Sequence, residues 1–232
     1  RRAGRTVGIM ADLQGPKIRV GKFKDGRVTL QRGQTFILDA QCELGDDTRV
    51  GLDYKELPND VRPGDTLLLD DGRIVFEVEK VVGSEIHCTV RHGGVLSNNK
   101  GINRVGGGLT APTLTAKDME DIRIAAQIRA DYLAVSFPKS GKDMFTAREL
   151  LRQAGGHALL IAKIERAEAV ELAAYEDILS GSDGIMVARG DLAVEVGDAA
   201  VPALQKRMIQ LARERNKLTI TATPMMESMI NS

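Results

Sequence analysis

The amino-acid sequence predicts an α/β protein: an arc of a partial (β/α)8 barrel of the TIM type, with a small β-barrel domain inserted after its first visible strand. Three observations carry this. The text changes grammar near Pro112, from short apolar runs separated by turn residues to a regular alternation of helix and strand. The strands of that second part are short and apolar throughout, as strands covered on both faces are. Asp12, Ser136, Lys163, Asp191 and Thr223, all able to do chemistry, stand at or just past the ends of successive strands. A doubly wound open sheet fits the first two observations equally, but contributions from many strands belong to the carboxyl face of a barrel.

The elements follow in order. Val7 to Asp12 reads as a strand ending in a carboxylate. Between Lys17 and Asn103 come the apolar runs Val28 to Leu30, Thr35 to Leu38, Thr66 to Leu69, Ile74 to Val82 and Ile86 to Val90. Lys24-Asp25-Gly26-Arg27 and Asp70-Asp71-Gly72-Arg73 read as hairpin-type turns, since Gly tolerates positive φ and Asp can bond its own backbone. Thr115 can cap a helix carrying Ile122, Ala125, Ala126 and Ile128, followed by a strand from Tyr132 to Phe137. A helix near Asp143 to Gln153 leads to the strand Leu159 to Lys163, then a helix over Ala167 to Ala174 and the strand Gly184 to Ala188. A helix from Ala200 to Arg215, striped by Val201, Leu204, Met208 and Leu211, precedes the strand Leu218 to Ala222.

The expected division is therefore residues 1–14 for the first visible barrel strand, 15–111 for the inserted β domain, and 112–232 for the barrel continued and broken off before its last strand. Hinges are expected near Gly15-Pro16 and Gly106-Gly107-Gly108, with the insert a candidate lid over the strand ends. The text opens without methionine and stops at Ser232 within a helical pattern, so it reads as a piece of something larger.

Composition narrows the function. Basic and acidic residues balance at 32 each, which points away from a nucleic-acid or membrane surface, and the absence of Trp argues against a base-stacking platform. Cys42 and Cys88 have no metal-ligand spacing and need no oxidising compartment. With no leader and no unbroken apolar run of spanning length, a cytoplasmic protein is expected.

Lys163-Ile164-Glu165 leaves one buried strand with both charges on one side, and Asp191 follows the next. A lysine at the end of a buried strand must pair or serve an anion. Two carboxylates sharing a pocket are costly unless a cation lies between them, and without His or Cys the donor set suits magnesium or manganese. In Ala188-Arg189-Gly190-Asp191, successive N–H groups at a helix start can hold a carboxylate or phosphate, an ordinary cap being the alternative. Thr223, ahead of Pro224, can donate or relay a proton, or simply cap. Arg19 and Lys100 bracket the insert and can reach a polyphosphate, or stay solvated. The triglycine lacks the Gly-Lys-Ser/Thr ending of a P-loop. His87, His92, His157, Met225, Met226 and Met229 read as bystanders or packing.

Several runs together resemble the pyruvate kinase family. They are Asp12-Leu13-Gln14-Gly15-Pro16-Lys17-Ile18-Arg19, Leu96-Ser97-Asn98-Asn99-Lys100-Gly101-Ile102-Asn103, Val135-Ser136-Phe137, Ala162-Lys163-Ile164-Glu165, Met186-Val187-Ala188-Arg189-Gly190-Asp191-Leu192 and Thr221-Ala222-Thr223-Pro224-Met225-Met226-Glu227-Ser228-Met229. The resemblance implies phosphoryl transfer from phosphoenolpyruvate to ADP, giving pyruvate and ATP in glycolysis. It implies Mg²⁺, with Mn²⁺ as a substitute, on Glu165 and Asp191. Lys163 would stabilise the phosphoryl group, the backbone at Arg189, Gly190 and Asp191 would seat the substrate carboxylate, and Thr223 would serve protonation of the enolpyruvate. Arg19 and Lys100 match nucleotide-phosphate positions, and Asp12, Leu13 and Lys17 the monovalent-cation region.

Lys17 stands where K⁺-dependent members resemble one another in having glutamate, so K⁺ use stays open: a fixed ammonium there could take over the role of the monovalent ion. Pro224 replaces a common glutamine. The family's Arg-x-Asn-x-Ser stretch, last barrel strand and carboxyl-terminal domain are expected outside this chain, leaving the isolated piece with little or no turnover. The intact protein is expected to be a homotetramer without nucleic-acid or membrane partners. Two other readings stay open: another Mg²⁺-dependent barrel enzyme of phosphoenolpyruvate or pyruvate, and a non-catalytic ligand-binding fragment.

Overall fold

The computed structural model describes residue 4 and residues 6–222. The chain is α/β and divides into two compact units, one formed by the start of the chain to Pro16 together with the part from Pro112 onward, the other essentially by Lys17–Ala111. Among the described residues no helix is long and apolar enough to cross a membrane.

In the first unit Met10–Asp12, Tyr132–Val135, Leu159–Ile164, Gly184–Val187 and Leu218–Thr221 pair in chain order as a five-stranded, wholly parallel sheet. The sheet is open among the described residues, with Met10–Asp12 and Leu218–Thr221 at its edges. The central strands are buried on both faces, which explains their unbroken apolar text. Ala134, Ile161 and Met186 cluster on one face with Tyr132, Ile220 and Ala222, while neighbours of opposite parity such as Leu133, Leu160 and Ile185 point the other way. A parallel sheet of this kind puts all strand ends, and the residues that follow them, along one edge. Gly184 is fixed by crowding: a Cβ there would lie 2.8 Å from Leu218 Cβ and 2.9 Å from Ile161 Cδ1.

The helices Ala116–Gln127, Gly141–Gln153, Leu172–Gly181 and Val201–Glu214 lie between the strands. Thr115 caps the first through a reciprocal box: Thr115 Oγ1 accepts from Asp118 N–H at 3.1 Å and the Asp118 carboxylate accepts from Thr115 N–H at 2.9 Å. Ser140 and Asp143 form the same box on the next helix.

Three local expectations need correction. The helix expected over Ala167 to Ala174 is a 3₁₀ turn, Glu168–Val170, and then a separate helix, Leu172–Gly181, because Glu171 is extended at φ −63°, ψ 137°. The strand expected from Val7 is laddered only over Met10–Asp12, because the Asp131 carboxylate takes the Ile9 N–H at 2.7 Å just before it. The turn at Lys24–Arg27 forms, with Gly26 at φ 76° and its N–H on Phe23 O at 3.1 Å, but it makes no hairpin. Its flanks pair elsewhere, Lys22–Phe23 with Leu44–Gly45 and Arg27–Leu30 with Gly94–Ser97.

The second unit is a mixed six-stranded sheet with two short two-stranded ladders around a core that includes Phe36, Leu38, Val50, Leu67, Phe76, Ile86 and Val90. Thr66–Leu69 and Ile74–Val82 do form the hairpin expected at Asp70–Arg73, with Asp70 and Asp71 at positive φ. The triglycine Gly106-Gly107-Gly108 is flanked by fixed contacts in this unit. Arg104 holds Asp65 bidentately at 2.9 and 3.0 Å and donates to Gly107 O at 2.8 Å, and Leu109 is anchored in the core.

Candidate active site

Alternation along Leu159–Ile164 puts Lys163 on the same side of the strand as Ile161, at the carboxyl edge of the sheet. Its ammonium lies 2.9 Å from Ser136 Oγ, 3.2 Å from Asp12 Oδ1 and 3.2 Å from Glu165 Oε1. Ends of three neighbouring strands thus meet on one cation. Burial works against the charged amine, but Glu165 and Asp12 outweigh it and hold its pKa above the ordinary value.

Glu165 follows the strand and is only 2% exposed. Its Oε2 accepts from Phe137 N–H at 2.8 Å. Burial pushes its carboxyl up to about 7, the Lys163 ammonium opposes this, and the Asp191 carboxylate adds to it.

Asp191 sits in the first turn of the helix Arg189–Val196, which starts two residues after the strand Gly184–Val187. Its ladder opens with Leu192 N–H on Ala188 O at 3.0 Å, so the N–H groups of Arg189, Gly190 and Asp191 have no acceptor inside the helix. The Arg189 side chain turns to Gln205 Oε1 at 2.6 Å.

Two carboxylates with oxygen donors, one driven toward its neutral form by burial with a further contribution from the other, could suit a hard divalent cation that keeps waters and takes the rest of its shell from substrate oxygens. Among the described residues no group of three or more His, Cys, Asp or Glu is arranged to hold a metal. Mg²⁺ sites often use one or two protein carboxylates rather than a full protein cage.

Asp12 ends its strand, and Leu13, next to it, receives the Ser136 hydroxyl on its carbonyl at 2.7 Å. In the second unit Arg19 and Gly101 form an antiparallel bridge, so Arg19 and Lys100 come from paired segments. Arg19 Nη1 donates to Asn99 O at 2.9 Å, and Lys100 pairs with Asp70 at 2.6 Å. Lys17 adjoins this pair in sequence and is half-buried. Thr223, and with it Pro224 and the methionines that follow, lies outside the described residues.

The sequence marks Ser136 as a hydroxyl at a strand end but not its partner, and it does not single out Phe137, Arg166 or Asp118 as site residues. Ser136 contacts Lys163, Phe137 N–H contacts Glu165, and Arg166, itself buried, donates to Phe137 O at 3.2 Å with its guanidinium 5.4 Å from the Phe137 ring. Asp118, the capping residue, also accepts from Gly15 N–H at 3.1 Å. Only the last left a local signal, the Thr-x-x-Asp spacing.

The barrel-domain model of pyruvate kinase matches residues 1–232. The chain is 55% identical to the pyruvate kinase of Haemophilus influenzae, covering 100% of this chain and 49% of that protein. It is 56% identical to pyruvate kinase II of Salmonella typhimurium over 99% of this chain and 48% of the relative. The pyruvate kinase of Corynebacterium efficiens is 45% identical over 100% of the chain and 48% of its own length. The chain thus spans about half the length of these curated relatives. A full-length match to the family's barrel domain, on a parallel sheet that gathers a lysine and two carboxylates at its carboxyl edge, makes this chain a member of the pyruvate kinase family.

Proposed function

We propose that the protein carrying this chain transfers the phosphoryl group of phosphoenolpyruvate to ADP, producing pyruvate and ATP. The observation that carries the reading is the Lys163 ammonium held between Asp12 and Glu165 beside Ser136. In this reading residues 1–14 and 112–232 are an arc of a (β/α)8 barrel, and residues 15–111 are its inserted β-barrel lid.

Glu165 and Asp191 would hold Mg²⁺, or Mn²⁺ in its place, which supplies positive charge to the phosphoryl and carboxylate oxygens of the substrate. Lys163 donates to a phosphoryl oxygen as charge spreads during transfer, where a preorganised cation in a partly dry site is worth most. The N–H groups at Arg189, Gly190 and Asp191 seat the substrate carboxylate at a helix start. The phosphorus–oxygen bond to the enol oxygen breaks as one to the ADP β-phosphate forms, and the resulting enolpyruvate takes a proton on carbon, with the Thr223 hydroxyl as its relay. Arg19 and Lys100 contact the nucleotide phosphates, Lys100 exchanging Asp70 for them. Asp12 and Leu13 belong to the monovalent-cation region, where the Lys17 ammonium substitutes for K⁺. A cytoplasmic homotetramer completes the proposal.

The test is ATP formation from phosphoenolpyruvate and ADP by the full-length protein with Mg²⁺, beside Lys163→Met and Asp191→Asn. The wild type should turn over, and each variant should lose about 10³-fold or more in kcat. A wild-type protein that makes no ATP, or variants that match it, would sink the reading.

A further inference from the structure

Lys163 has three N–H donors, and its contacts among the described residues are unequal. The Asp12 and Glu165 carboxyl oxygens stand at 3.2 Å, whereas the Ser136 hydroxyl is closer, at 2.9 Å. Ser136 gives its own proton to Leu13 O at 2.7 Å, so its lone pairs are turned to the ammonium. The side chain is locked in place. Ser136 is 1% exposed, and Gly15 packs on it so tightly that a Cβ on Gly15 would lie 2.7 Å from Ser136 Cβ. The following residue, Phe137, is held at φ 55°, which is strained for an aromatic residue, and this lets its N–H reach Glu165.

We infer that Ser136 is a positioning residue for the phosphoryl-transfer lysine: a neutral, buried acceptor that fixes the Lys163 ammonium without consuming its charge. The inference rests on the reading of Lys163 given under Proposed function. An arriving phosphoryl group competes with the Asp12 and Glu165 carboxyl oxygens for the ammonium's donors. Ser136 does not compete. It keeps Nζ in place while a carboxylate contact is exchanged for a phosphoryl oxygen, and the strained turn at Phe137 keeps Glu165 aligned with it.

The test uses the full-length protein with Ser136→Ala and Ser136→Cys, the second filling the same space with a poor acceptor. Steady-state kinetics are read beside acetylation rates of Lys163, measured by mass spectrometry against the exposed Lys142. Both variants should lose about 10- to 100-fold in kcat with the KM for phosphoenolpyruvate within about threefold of wild type. Lys163 should acetylate at least about threefold faster relative to Lys142, since an amine no longer held by Ser136 is freer to reach the reagent. If Ser136→Ala does not fold, Ser136→Cys alone decides. A kcat within about twofold of wild type, or an unchanged Lys163 labelling ratio, would overturn the inference. A wild type without phosphoenolpyruvate-dependent ATP formation would instead sink the parent reading, and the labelling ratio would still decide whether Ser136 holds Lys163.

Discussion

Replacing Glu165 by glutamine removes a titrating group at nearly constant shape, and its effect on stability should depend strongly on pH. Burial, only partly offset by the Lys163 ammonium and reinforced by Asp191, lifts the Glu165 carboxyl from an ordinary 4.5 to about 7. The folded protein therefore holds this proton more tightly than the unfolded chain does. That contribution to stability is fully present below the unfolded value of 4.5 and is lost as pH rises through about 7. Each tenfold in proton affinity is worth about 1.4 kcal/mol, so the displacement amounts to about 3 kcal/mol. Urea unfolding of wild type and Glu165→Gln in chelator, from about pH 5 to about pH 8, reads it directly. Across that range the wild type should lose about 2.5 kcal/mol relative to the variant, and Mg²⁺ at the upper end should restore much of it in the wild type alone. Parallel pH profiles for the two proteins would refute the reasoning.

Three further outcomes are expected. Full-length wild type should turn over equally, within about twofold, in K⁺ and in a tetramethylammonium buffer, while Lys17→Glu should require K⁺; a strong K⁺ requirement in the wild type would reject the substitution of the monovalent ion by Lys17. Arg104→Ala, which loses the bidentate Asp65 pair and the bond to Gly107 O, should cost about 2 kcal/mol in urea unfolding and make the triglycine segment a preferred site of limited proteolysis. Asp118→Ala should cost about 3 kcal/mol, because it removes the capping box of the Ala116–Gln127 helix and strands the Gly15 N–H that Asp118 accepts. Asp118→Asn, which keeps an acceptor, should cost about half as much on the same denaturant curves.

What could be read from sequence was what is local. The cap at Thr115 has its partner three residues on, and the buried strands announce themselves by unbroken apolar text bounded by turns. Lys163 and Glu165 were legible because two charges cannot leave a buried strand without a reason. Ser136 was visible as a hydroxyl at a strand end but not as a partner, since Lys163 lies 27 residues away and Leu13 lies 123. The break at Glu171 escaped periodicity because helical spacing runs through it, and one extended residue divides the segment. The β unit was least legible: Leu44–Gly45 and Arg49–Val50 are two residues each, too short for any period, and their partners are set by tertiary pairing.

The proposed phosphate site at Lys163, Glu165 and Asp191 requires a metal. Calorimetric titration of the full-length protein with phosphoenolpyruvate, with and without Mg²⁺ and beside Glu165→Ala, tests that claim most directly. Saturable binding that requires Mg²⁺ in the wild type and disappears in Glu165→Ala is the predicted result. Binding of equal strength without the metal, or undiminished in Glu165→Ala, would contradict it.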